Sequence, residues 1–179
     1  YPTHRLVRGL SSFDETADKE ACREYFSVED KTDISTIERE LDSLYQQGKK
    51  AFAFYTGQDR WTLLVLKSME AVREWLPKAS AATQGLDVTV LHSLILEKIF
   101  GIDKENMAQQ INLTYTRDFQ EAVSSVQKGE SQCAFILNPT RVTEIRDVAA
   151  AGEKMPQKST YFYPKLITGL VMNQMERDQ

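Results

Sequence analysis

Ile111-Asn112-Leu113-Thr114-Tyr115-Thr116, Arg117-Asp118-Phe119-Gln120-Glu121-Ala122-Val123-Ser124-Ser125-Val126-Gln127-Lys128-Gly129 and Cys133-Ala134-Phe135-Ile136-Leu137 decide the fold class. The first run alternates like a strand. The second opens on Asp118-x-x-Glu121, turns Phe119, Ala122, Val123 and Val126 to one side, and closes on Gly129 as a helix does. The third is a short apolar strand. Strand, helix of about ten residues and strand is the pattern of a βαβ unit, whose crossover between parallel strands is right-handed. The reading is an α/β fold: a mixed sheet containing that βαβ unit, flanked by helices, with α+β as the alternative.

Outward from this stretch, Val142–Ala151 reads as a helix closed by Gly152, and a loop through Pro164 leads to a strand at Ile167–Met172. Upstream, Val88, Leu91, Ile95 and Ile99 put one apolar face on a helix that starts at Asp87 and ends at Gly101. The Ala-, Ser- and Thr-bearing segment Lys78–Gly85 reads as a linker. It divides an N-terminal helix-and-hairpin lobe, 1–79, from a lobe over 86–179, unless the two form one continuous domain. In the first lobe Ala51–Tyr55 and Trp61–Lys67 form a hairpin across Thr56-Gly57-Gln58-Asp59. Met69–Leu76 is a turn or two of helix stopped by Pro77. Ser35-x-x-Glu38 has the form of a capping box ahead of Ile37, Leu41 and Leu44, with Gly48 as the helix stop. Asp14–Tyr25 is helical, and Phe26–Lys31 is a short polar strand. Tyr1-Pro2-Thr3-His4-Arg5-Leu6-Val7 is a strand with Pro at its edge.

Composition excludes several classes. The 179 residues are 41% apolar and 27% charged, which fits a folded domain rather than a disordered chain. No apolar run approaches the ~20 residues that cross a bilayer, so no membrane partner is expected. Lys and Arg total 22 against 26 Asp and Glu, a net charge of −4, which argues against nucleic acid as a partner. Cys22 and Cys133 stand far apart with no metal-ligand spacing, and read as reduced, buried thiols of a cytoplasmic protein. With only two histidines, no histidine-rich metal site is expected. No motif names a cofactor. The chain starts at Tyr1 and its first methionine is Met69, so it is expected to be a fragment of a longer protein.

Chemistry is expected where parallel strands end and helices begin. Arg117 and Arg141 both stand within a residue of a helix start, where a cation is disfavoured and an anionic ligand would relieve the conflict. The segment Gly152–Lys165 adds Lys154, Lys158 and Lys165, the hydroxyls of Ser159 and Thr160, and the aromatic run Tyr161-Phe162-Tyr163. Arg117, Arg141, Lys154, Lys158, Ser159, Thr160 and Lys165 are therefore the candidate anion-binding set. His4 and His92 are the candidate proton carriers, although His92 falls within the apolar arc of its helix.

The run Gly152-Glu153-Lys154-Met155-Pro156-Gln157-Lys158-Ser159-Thr160-Tyr161-Phe162-Tyr163-Pro164-Lys165, followed by Thr168-Gly169-Leu170-Val171, resembles the C-terminal part of the bacterial domain-of-unknown-function family 1015. Pro2-Thr3-His4-Arg5-Leu6-Val7, Leu91-His92 and Phe100-Gly101-Ile102 fit the same family. Full-length members are similar in carrying, upstream, an Ala-Asp-Gly-His-His-Arg stretch akin to that of ParB-like proteins and of kinases of free serine. That stretch is absent here. The resemblance implies a domain that binds a small anion or phosphometabolite and completes a site with a missing N-terminal half. If catalytic, it would be phosphotransferase-like and inactive as this fragment. The competing expectation is a non-catalytic sensory or interaction domain, which requires a contiguous exposed apolar patch.

Overall fold

The computed structural model describes residues 3–153. Strands β1 (His4–Val7), β2 (Phe26–Thr32), β3 (Ala51–Tyr55), β4 (Arg60–Leu66), β5 (Leu113–Thr116) and β6 (Cys133–Ile136) form one sheet in the order β2-β4-β3-β6-β1-β5. Helices are α1 (Glu15–Cys22), α2 (Ile37–Gln46), α3 (Glu70–Trp75), α4 (Ala81–Gln84), α5 (Asp87–Val90), α6 (Lys104–Gln109), α7 (Phe119–Gln127) and α8 (Val142–Ala150). A π-helical segment, Leu91–Glu97, continues α5 directly. This is an α/β fold built on a six-stranded antiparallel sheet.

The central strands β1, β3 and β6 are buried on both faces, which is why β3 and β6 read as unbroken apolar runs. Period-two alternation sorts their residues between two cores. Phe52, Phe54, Leu64, Cys133 and Phe135 face one core with Val88, Leu91, Leu94 and Ile95. Ala51, Ala53, Tyr55, Ala134 and Ile136 face the other, with Ile37 and Leu41 of α2 and Ala122, Val123 and Val126 of α7. Three layers result. Phe135 stacks with Phe54 at 5.2 Å and meets Phe100 edge-on at 5.6 Å.

The expected strand–helix–strand elements are present as β5, α7 and β6, but the two strands do not pair. β1 lies between them, antiparallel to both, with Arg5 opposite Tyr115 on one side and Phe135 on the other. Among the described residues every pair of neighbouring strands is antiparallel, so the mixed sheet is corrected to an antiparallel one. The cause is the N-terminal strand: His4, Arg5, Leu6 and Val7 are all buried, and such a strand belongs inside a sheet. Strands from both sides of the 78–85 segment therefore share one sheet.

Three local expectations change as well. The Ser35/Glu38 box does not cap α2: Asp33, at a left-handed φ of 65°, accepts from the Ser35 amide and hydroxyl, and a 3-10 turn intervenes. The 78–85 segment contains α4, whose Ser80 hydroxyl accepts from the Thr83 amide. The helix after Asp87 becomes π-helical at Leu91. The hairpin pairs as expected, Ala53 opposite Leu63. The loop after Glu153 and the strand at Ile167–Met172 lie outside the described residues.

Candidate functional site

One end of the sheet gathers the start of β1, the start of β3, the ends of β5 and β6 and the first turns of α7 and α8. Alternation along β1 sends His4 and Arg5 to opposite faces. Arg5 is completely buried. Its Nε and Nη2 lie 3.2 and 3.0 Å from His92 Nε2, its Nη1 donates to the Thr3 carbonyl, and its guanidinium sits 5.2 Å from the centre of the Tyr115 ring. Only a neutral imidazole nitrogen can accept from an arginine, so the ring proton of His92 is on Nδ1. Burial, and then the Arg5 charge, push the His92 pKa well down. His92 is thus an uncharged acceptor at neutral pH.

His4, on the other face, is 1% exposed and meets Phe119 edge-on. Its Nδ1 accepts from the Leu137 amide at 3.3 Å, which leaves the proton on Nε2, and Nε2 is buried with no hydrogen-bond partner. Burial, then Arg5, bring its pKa down to about 4 against a smaller opposing effect of Asp118. The two histidines are on different faces and do not form a pair.

The two arginines also part company. Arg117 lines a cleft of about 620 Å³ together with Glu38, Asp118 and Glu121. Asp118 caps α7 by accepting from the Gln120 amide at 2.9 Å, and Glu121 accepts from the Thr116 hydroxyl. Three acidic residues thus line the same cleft as Arg117. Arg141 stands at the first turn of α8. Its amide donates to Glu144 at 2.8 Å, its Nη2 pairs with Asp42 at 3.2 Å and its guanidinium stacks 4.3 Å over the Tyr45 ring. Its Nε is buried without a hydrogen-bond partner. Lys154, Lys158, Ser159, Thr160 and Lys165 lie outside the described residues.

Sequence reasoning missed Asp87. Its sequence context is that of a helix start, yet it is 8% exposed and its Oδ1 is buried without a partner. Burial raises its pKa to about 7; Lys50 and Arg141 hold it down while Glu144 lifts it. Asp87 therefore belongs to the Arg141 end of the sheet, and it titrates near neutrality. Perturbed carboxyls of this kind concentrate at working sites. No sequence signal separates it from an ordinary helix-starting Asp.

On the Arg5 face, the π-helical segment borders a cavity of about 320 Å³ with apolar walls from Leu76, Ala79 and Met107. Thr89, His92 and Ser93 supply its polar wall, with Glu97 and Lys104 also lining it. The described residues contain no cluster of His, Cys, Asp and Glu that could hold a metal ion. None of their helices is long and apolar enough to cross a membrane.

No family model and no curated protein matches the chain. Solved structures resemble it. A conserved hypothetical protein from Pyrococcus furiosus is 19% identical with a TM-score of 0.49, over 90% of this chain and 54% of that one. A free serine kinase in complex with AMP is 18% identical with a TM-score of 0.48, over 90% of this chain and 52% of that one. The chain spans about half the length of the structures it matches.

Proposed function

We propose that the chain is an anion-binding α/β domain, and that its site is the sheet end formed by His4, Arg141, Asp87 and the first turn of α8. One observation carries this reading: His4 Nε2–H and Arg141 Nε–H are two buried donors at that end, and neither has an acceptor. Buried donors without partners are costly, and a ligand bearing several acceptor oxygens, a phosphate or a carboxylate, removes the cost. The first turn of α8 adds the partial positive charge of a helix start, although the Arg141 amide is already taken by Glu144. Arg117 is left out, because carboxylates stand at both arginines, Asp42 and Glu144 at Arg141, and of the two only Arg141 offers a buried nitrogen without a partner among the described residues.

Asp87 deepens the reading. A carboxyl poised near neutrality can take a proton from a ligand hydroxyl or return one, a role that the neutral and poorly basic His4 and His92 fill less well. Phosphoryl transfer to a small hydroxyl compound is the chemistry such a site would assist, with the remaining groups supplied by the rest of a longer protein. The non-catalytic interaction reading has less support. Among the described residues the exposed large apolar side chains, Trp75, Ile111 and Val142, sit on three separate segments.

Titration calorimetry with inorganic phosphate, AMP and ATP tests the proposal. At least one should bind the natural chain, and Arg141→Met should weaken it tenfold or more. No heat from any of the three, or equal affinity in both proteins, overturns it.

A further inference from the structure

The cavity beside the π-helical segment lies on the other side of the sheet from His4, and the anion-binding reading makes no use of it. A packing flaw would be apolar throughout, because a dry void has nothing to offer a hydroxyl. This cavity is different in three respects. Thr89 is 4% exposed, lines the space, and its Oγ1 is buried with no hydrogen-bond partner. Its neighbour Ser93 is spoken for, donating to the Thr89 carbonyl at 2.7 Å. His92, between them in sequence, is held in one tautomer by two donors of Arg5, so that part of the wall is rigid.

The backbone adds a second, independent observation. Leu91–Glu97 is π-helical over seven residues, a geometry that the sequence pattern does not require and that recurs at functional sites. Its His92, Ser93 and Glu97 share the cavity lining with Thr89 of the preceding α5. The charges along that wall cancel: Glu97 and Lys104 oppose one another, and His92 is neutral. A net-neutral, mainly apolar pocket of about 320 Å³ with one unused hydroxyl suits an uncharged guest.

We propose that this cavity is a second ligand site, taking a small uncharged molecule with an apolar body of about one ring and a single hydroxyl or carbonyl that pairs with Thr89 Oγ1. The apolar body lies against Leu76, Ala79 and Met107, and the polar atom reaches inward to Thr89. The site is separate from the anion-binding end, so either assignment stands or falls without the other.

The test is an amide NMR titration of the full chain with benzyl alcohol, toluene and benzoate. Benzyl alcohol should shift the resonances of residues around 76–107, with benzoate at least tenfold weaker because it would carry a charge into a neutral pocket. Thr89→Val should weaken benzyl alcohol severalfold and leave toluene unchanged. Ala79→Phe, placed on a half-buried wall position, should remove binding of both. No shifts at millimolar benzyl alcohol, shifts elsewhere only, equal binding of benzoate, or binding that survives Ala79→Phe would each overturn the proposal. A Thr89→Val effect equal for toluene and benzyl alcohol would overturn the role given to the hydroxyl.

Discussion

Replacing Asp87 by Asn should make the protein more stable at alkaline pH and nearly unchanged in acid. The Asp87 carboxyl is pushed from its ordinary 3.8 to about 7, chiefly by burial. A raised carboxyl pKa means that the folded state holds the proton more tightly than the unfolded one. Its contribution is therefore whole below pH 3.8, declines as pH rises, and is lost once pH passes about 7. Linkage over that shift gives a loss of about 2.5 kcal/mol between pH 5 and pH 8, from about 1.4 kcal/mol per pK unit. Asn carries no titrating proton and fills the same volume. The stability of Asp87→Asn minus that of the natural chain should thus rise by about 2.5 kcal/mol from pH 5 to pH 8. Urea unfolding at several pH values measures this difference, and the titration of other groups cancels from it. A difference that stays flat within ~0.5 kcal/mol, the usual error of additivity, would refute the argument that Asp87 is desolvated and half-charged near neutrality.

Three further outcomes are expected. Nitrogen NMR of the imidazoles should show His92 still neutral at pH 6.5, the ordinary pKa of the group, with its proton on Nδ1, and Arg5→Met should raise its pKa by removing the neighbouring charge. An imidazolium signal for His92 near pH 6 in the natural chain would contradict the Arg5 contact. Ser80→Ala should cost about 1 kcal/mol, the usual worth of a helix cap, because the Ser80 hydroxyl caps α4 and also donates to Glu153 at 2.6 Å. Glu153→Gln should lower hydrogen-exchange protection at the Ser80 amide, which donates to that carboxylate at 3.0 Å; unchanged protection would show that the carboxylate does not hold α4.

Much of the secondary structure is legible locally. The hairpin follows from alternation around Thr56-Gly57, and α7 follows from Asp118, its apolar spacing and Gly129. What is illegible depends on partners far along the chain. Insertion of β1 between β5 and β6 is decided by pairings more than 100 residues apart, and four residues carry too little pattern to predict them. Arg5 looks like an edge-strand charge and is the most deeply buried cation described. The π-helical segment keeps the three-and-four apolar spacing of an α-helix, so periodicity cannot reveal it. Asp87 has the sequence context of any helix start, and only its burial makes it acidic near neutrality. Arg117 and Arg141 share a sequence context too, yet Arg117 lines a cleft with three acidic residues while Arg141, paired with Asp42, keeps one buried nitrogen without a partner.

His4 Nε2 and Arg141 Nε are both buried without a partner, and side-chain nitrogen NMR of these two groups during titration with inorganic phosphate reports whether an anion supplies one. Both signals should move together and saturate, while Arg117 Nε stays where it was. Saturation at Arg117 with His4 and Arg141 unmoved would contradict the account.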